Sequence, residues 1–213
     1  MIRASITRLE EESWEAKVGP DINDPAADGY ALVKTAAGLE LVIASLQPYG
    51  GWLAKNVSPL VFPAAHIRLR YTLMIDDATL VSAQVIETDA KITDSAGYTY
   101  DLSAQWNLAE NWRFQIDNED GTWTDSNVII PALVPLQPVG IGIEYGLDYG
   151  NRSSAILAVE VEGQHYALNP VLWISARAVG WDPSEIVTQL QQVNNAAPGG
   201  YALRFSQIGY ELE

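Results

Sequence analysis

Apolar and polar residues alternate along much of this chain with a period of two. From Tyr98 to Asn107, Tyr98, Tyr100, Leu102, Ala104 and Trp106 fall on one side, and Thr99, Asp101, Ser103, Gln105 and Asn107 on the other. Successive side chains of a strand point to opposite faces of its sheet, so the segment predicts a strand with one buried and one wet face. The pattern recurs. Ile67, Leu69, Tyr71, Leu73 and Ile75 oppose Arg68, Arg70 and Thr72, while Trp112, Phe114 and Ile116 oppose Arg113, Gln115 and Asp117. Val139, Ile141, Ile143 and Tyr145 oppose Gly140, Gly142 and Glu144. Ala155, Leu157, Val159 and Val161 oppose Ile156, Ala158, Glu160 and Glu162. Tyr30 to Val33 and Leu39 to Ala44 read as shorter strands buried on both sides, with Gly38 at the turn between them.

The punctuation fits. Asn118-Glu119-Asp120-Gly121 is an Asp-Gly hairpin signal, Ala96-Gly97 precedes the Tyr98 strand, and Glu162-Gly163 precedes His165 to Leu168. Pro198-Gly199-Gly200 opens a last strand from Tyr201 to Leu212, and the stretches 20–28 and 131–138 read as loops. Residues 183–194 are ambiguous. Asp182-Pro183-Ser184-Glu185 looks like a helix start, with Ile186, Val187, Leu190 and Val193 as its stripe. The same residues also alternate as a strand, which an otherwise all-β chain favours. Strands every ten or so residues predict an antiparallel sandwich or barrel. No linker or internal repeat interrupts residues 1–213, so one domain is expected.

Composition narrows the chemistry. With 213 residues and 48% hydrophobic content, the chain can bury a core without disulfides or a structural metal. It has no cysteine, which excludes thiolate catalysis and Cys-ligated metal sites. A formal net charge of -15 argues against nucleic acid and anionic membrane surfaces. The longest apolar runs are far shorter than a membrane span. The first residues show no apolar leader, so a cytoplasmic location is the default expectation. Two histidines, His66 and His165, have no partner spacing for zinc. Neither a phosphate-binding Gly loop nor a Gly-x-Ser-x-Gly elbow is present.

The C-terminal pattern, a Gln-rich strand from Ile186 to Val193, then Gly199-Gly200 and Tyr201 to Leu212, resembles the closing hairpin of concanavalin A-like lectin and glucanase domains. Glu160-Val161-Glu162-Gly163 followed by another strand is similar to the hairpin of laminin-G-type members. The resemblance covers most of the chain as strand rhythm, with specific residues only in these two stretches. It implies an all-β, antiparallel two-sheet sandwich of jelly-roll type whose concave face or loop rim binds carbohydrate. Gln115-Ile116-Asp117-Asn118-Glu119 is also similar to the Glu-x-Asp-x-Glu strand of the family's retaining glucanases, where the outer acids are nucleophile and acid/base. Here Gln115 stands at the nucleophile position, and an amide cannot attack an anomeric carbon. The resemblance further implies calcium at a loop rim. The oxygen-rich loops are Asp21/Asn23/Asp24/Asp28, Asp76/Asp77 and Asp148/Asn151; none has EF-hand spacing, and each reads equally well as turn chemistry. No other cofactor is expected.

Two groups of side chains are candidates for a ligand. His66, Arg68 and Arg70, then Asp101, Ser103 and Gln105, then Arg113, Gln115 and Asp117, with Gln189 and Gln191, project opposite the core. In one concave sheet they would form a trough of amides, carboxylates and guanidiniums suited to sugar hydroxyls. The alternative is a solvated sheet with cross-strand Arg–Asp pairs, each contributing about 0.2–1 kcal/mol. Tryptophan, present seven times, can stack on sugar rings. Trp106, Trp112 and Trp173 read as core; Trp52, Trp123 and Trp181 sit near loops, where they could meet a ligand or plug the core end. The expected function is non-catalytic carbohydrate binding, with an oligo- or polysaccharide as partner. A glycoside hydrolase or polysaccharide lyase using Asp101, Asp117 and Glu119 is the alternative, and a protein-interaction sandwich is the third.

Overall fold

The computed structural model describes residues 4–18, 30–43, 51–57, 64–108, 110–118, 120, 122–178, 186–194 and 201–213. Its first strands are β1 (Ala4–Ile6), β2 (Glu15–Val18), β3 (Tyr30–Thr35), β4 (Gly38–Ile43), β5 (Gly51–Val57) and β6 (His66–Ile75). A short helix, α1 (Asp77–Ser82), leads to β7 (Ala83–Thr93), β8 (Tyr98–Asn107), β9 (Arg113–Asp117) and β10 (Trp123–Ile129). The remainder comprises β11 (Val139–Asp148), β12 (Ser153–Val161), β13 (Gln164–Ala167), β14 (Trp173–Ser175), β15 (Arg177–Ala178), β16 (Ile186–Asn194) and β17 (Tyr201–Leu212). Residues 186–194 therefore form a strand.

The strands make two antiparallel sheets. One runs β13-β12-β11-β6-β17-β4-β3, with β1 added on β17 and β14 on β12. The other runs β10-β9-β8-β7-β16-β5-β2, with β15 added on β8. Their apolar faces share one core. Leu69, Tyr71, Leu73, Ile143, Tyr145, Leu203 and Phe205 come from the first sheet; Ile86, Ala90, Ile92, Tyr100, Leu102, Trp106 and Phe114 come from the second. The Tyr71 and Thr88 hydroxyls meet across the interface at 2.9 Å. Burial holds the Tyr71 phenol well above its ordinary pKa, so it stays neutral there.

The sequence places β8 and β6 residue for residue, and three hairpins form at their expected turns. The β7–β8 turn is tied by Asp94, whose Oδ1 accepts from the amides of Ala96 and Tyr98, both at 2.9 Å. At the β12–β13 turn Glu162 and Gly163 both take positive φ, 50° and 77°, as a two-residue hairpin loop requires. Other expectations need correction. Residues 186–193 and 201–212 do not form a hairpin, because β16 pairs with β5 and β7 while β17 pairs with β4, β6 and β1 in the opposite sheet. A β-bulge also breaks the β12 alternation. The register steps from Glu144↔Ala158 to Tyr145↔Ile156, so Leu157 is the extra residue and Ile156 joins Val159 and Val161 in the core. Val33, expected to be buried, is exposed on the edge strand β3. Trp173, expected in the core, is 49% exposed on the short strand β14, whereas Trp106 is buried as expected.

Candidate functional site

The sequence-predicted trough splits between the two sheets. Arg68 and Arg70 lie on β6, in the first sheet, whereas Asp101, Gln105, Arg113, Gln115 and Asp117 lie on β8 and β9 in the second. Alternation tells which side of its own strand a residue takes, but not which sheet the strand joins. The change of sheet happens at α1. Asp76 caps that helix, its Oδ1 accepting from the Thr79 amide at 2.8 Å, and its Oδ2 accepts from the Ala202 amide at 3.0 Å. The chain thus leaves β6 and enters β7 across the sandwich.

On the first sheet the arginines belong to an ion ladder. Arg68 faces Glu144 at 3.4 Å and Glu211 at 3.8 Å; Arg70 faces Glu211 at 3.4 Å and Glu160 at 3.7 Å. His165 adds a contact to Glu144 at 3.4 Å. This is the solvated sheet with cross-strand pairs that the sequence left as the alternative.

The outer face of the second sheet is different. Cross-strand register fixes which residues share it. One row runs Glu87, Gln105, Gln115, Asp125 from β7 to β10. Beside it run Asp89 and Ser103, then Lys91 and Asp101, then Thr93, Thr99 and Arg177. Val85, Asn107 and Arg113 lie on the other flank, and Trp123 pairs with Asp117 at the rim. This side of β8, expected to be wet, is largely covered. Asp89 is 3% exposed, Gln105 7% and Gln115 8%. Outer-face polar groups on an open sheet would be far more accessible, so the face is recessed.

Buried polar groups call for partners, and the side-chain amides here have them. The Gln105 amide donates to Gln115 Oε1 at 2.8 Å, and Asn107 donates to the same oxygen at 3.3 Å. Gln115 in turn donates to Glu110 at 3.3 Å. Lys91 lies 3.4 Å from Asp101, and Arg113 pairs with Asp125. Trp123 is partly exposed at the edge. Trp52 lies on β5, its backbone in register with Gln191, and its side chain, like all of Trp181 and Glu119, lies outside what is described.

At the centre of the recess is an acid pair that sequence reasoning did not single out. Glu87 and Asp89, alternate residues of β7, are hydrogen-bonded to each other. Burial pushes the Glu87 carboxyl up to about 9, helped by the neighbouring Asp89 charge. Burial also raises Asp89, to about 6, against hydrogen bonds from Ser103 and Glu87 that favour its ionised form. At neutral pH the pair therefore holds one proton between its two carboxyls. Asp117 is raised too, by burial and then by the Asp101 charge. The signal was present: Glu87-Thr88-Asp89 has the Glu-x-Asp spacing sought at 115–119, with Lys91 in the third place. A buried acid, however, reads in sequence like a solvated one.

The calcium loops resolve differently. Asp76 is spent on its cap, and Asp148 accepts from the Asn151 backbone at 2.9 Å and its side chain at 2.7 Å, as turn residues do. The 21–28 cluster lies outside the described residues. Among the described residues no group of three or more His, Asp or Glu side chains is arranged to hold a metal ion.

No family model matches the chain, and no curated protein matches it. Solved structures do. The alginate lyase vAL-1 from Chlorella virus is 12% identical, with TM-score 0.55, over 100% of both chains. Winged bean acidic lectin, complexed with methyl-alpha-D-galactose, is 10% identical, with TM-score 0.54, over 99% of each. A mutant of alginate lyase Aly36B in complex with alginate trisaccharide is 10% identical, with TM-score 0.53, over 100% of both. At such identity the likeness shows the fold, which is the two-sheet jelly roll of concanavalin A-like proteins.

Proposed function

We propose that this chain is a lectin-like domain that binds a saccharide, without catalysis, across the outer face of its second sheet. The observation that carries this reading is the recessed amide and carboxylate row from Glu87 through Gln105 to Gln115. Side-chain amides and carboxylates each offer two hydrogen-bonding positions, which suits vicinal hydroxyls. Trp123 at the edge supplies a ring for stacking. The fold supports the reading by analogy, since its solved relatives include a lectin holding a galactoside and a lyase holding alginate. The test is tryptophan fluorescence and calorimetric titration with a glycan panel, on the wild type and Gln115→Ala. Binding by the wild type, weakened at least tenfold in the variant, is expected. A panel without a single ligand, or a variant that binds equally well, overturns the proposal.

A second reading, glycoside hydrolysis, is favoured by the Glu87–Asp89 pair, because a proton held at neutral pH is what a general acid requires. The two carboxyls touch each other, so they do not straddle a glycosidic bond between them. A nucleophile or base would have to come from Asp101 or Asp117. Release of reducing ends from a bound glycan, abolished by Glu87→Gln, would establish this reading in place of the first.

A further inference from the structure

A ring of hydrogen bonds closes one end of the recessed row, and it has a fixed sense. The Glu110 backbone N–H donates to Asn107 Oδ1 at 3.1 Å, Asn107 Nδ2 donates to Gln115 Oε1 at 3.3 Å, and Gln115 Nε2 donates to Glu110 Oε2 at 3.3 Å. A backbone N–H can only donate and a carboxylate can only accept. Asn107 is therefore oriented by the one and Gln115 by the other, and neither amide can turn over without losing a bond. Gln105 joins from outside the ring, its Nε2 donating to the same Gln115 Oε1 at 2.8 Å. That leaves the Gln105 carbonyl oxygen turned away from Gln115, on the side of the row where Glu87 stands. The ring is assembled locally. Asn107 ends β8, and two successive left-handed residues, Asn111 and Trp112, each with φ 60°, turn the chain from Glu110 into β9.

Resting on the saccharide-binding reading, we infer that Asn107 and Glu110 are positioning residues that set the donor–acceptor sense of this face, so that a saccharide meets the Gln105 carbonyl with an O–H or N–H and not with an ether oxygen. Moving the carboxylate inverts that sense. Asn107→Asp with Glu110→Gln keeps the net charge but places the acceptor-only group at 107 and an amide at 110. One oxygen at 107 still takes the backbone N–H of residue 110. Gln115 is then satisfied only when turned over, donating to residue 107 and to the Gln105 oxygen while accepting from residue 110. Gln105 in turn shows the ligand its N–H groups.

Two measurements on the full chain test this. Without ligand, nuclear Overhauser cross-peaks from the Gln115 side-chain N–H protons should reach the side chain of residue 110 in the wild type and that of residue 107 in the swapped variant. With ligand, the probes are methyl α-glucoside, α-galactoside and α-mannoside and their monodeoxy and monodeoxyfluoro analogues, titrated calorimetrically. Fluorine keeps an acceptor where the hydroxyl stood and removes the donor. At one ring position of the glycoside that binds, fluorine should cost the wild type as much as deoxygenation, roughly three- to tenfold, as one hydrogen bond provides. In the swapped variant fluorine at that position should cost clearly less than deoxygenation, and the unchanged net charge rules out a diffuse electrostatic cause. Should the swap not fold, Asn107→Ala with Glu110→Gln removes both directing groups and should lower the fluorine penalty in the same direction. Identical Gln115 cross-peaks in wild type and swap, an identical fluorine penalty, or a wild type that tolerates fluorine at every position overturns the inference while saccharide binding stands. If none of the three glycosides binds, the specificity inference falls, and the wider glycan panel decides separately whether the saccharide reading falls with it.

Discussion

Replacing Glu87 by glutamine tests the acid pair without reference to any ligand. In the unfolded chain Glu87 titrates near 4.5; in the fold, burial and the Asp89 charge raise it to about 9. Between those values the folded state binds one more proton than the unfolded state. Stability must then fall as pH rises, and the contribution is fully present only below the unfolded pKa. For one proton the slope is about 1.4 kcal/mol per pH unit, so from pH 6.5 to 8.5 the wild type should lose on the order of 2–3 kcal/mol through this group. Glutamine cannot titrate, yet it can still donate a hydrogen bond to Asp89. The Glu87→Gln variant should therefore show a much flatter profile and overtake the wild type at the alkaline end. The assay is urea unfolding of both proteins at half-unit steps from pH 6.5 to 8.5. Groups common to both proteins drop out of the difference. A difference that stays within about 0.5 kcal/mol over the range would refute a shared proton in the recess.

Three further outcomes follow from contacts elsewhere. Gly209→Ala would place a Cβ 2.6 Å from the Ile6 carbonyl oxygen, a backbone atom, and should cost about 2 kcal/mol or more, read as a lowered urea midpoint with β1 displaced from β17. Asp76→Ala removes the cap of α1 and its tie to Ala202, and should cost about 1–2 kcal/mol in the same measurement. Arg68→Gln breaks ion pairs that still reach water; it should change stability by about 1 kcal/mol or less and leave saccharide binding unchanged, whereas a large loss of binding would restore Arg68 to the site.

Strand identity was legible because burial of one face leaves a period of two in the residues themselves. Sheet membership was not, because β6 and β8 show the same alternation with the same residue types. Their separation depends on where the chain crosses the sandwich, at an Asp76 cap that reads in sequence as one more acidic turn. The β12 bulge was hidden for a related reason. Leu157 is apolar on either side of the strand, so nothing in its type marks it as the inserted residue. Of the candidate face, Asp101, Gln105, Arg113, Gln115 and Asp117 were singled out from their alternation. Glu87, Asp89 and Lys91 were passed over although they occupy the same face, since only the three-dimensional register shows that Glu87 stands opposite Gln105 and is closed over.

The two outer faces illustrate why burial, more than residue type, points to the site. On the first sheet Arg68, Arg70, Glu144, Glu160 and Glu211 neutralise one another while still reaching water, and such a ladder needs no further partner. On the second, a carboxyl pair and a chain of amides are withdrawn from solvent, which costs free energy even when every hydrogen bond is made. Packing does not require this, since neighbouring Val85 occupies the same face of β7 with no polar group at all. On the proposed reading, such an arrangement in the middle of a sheet, with its polar atoms turned away from the core, is kept for what it meets from outside. That reasoning has a joint consequence: Glu87→Gln should make the chain more stable above neutral pH and a poorer saccharide binder at once. A variant that gained stability and bound just as well would show that the acid pair serves neither the fold nor the ligand.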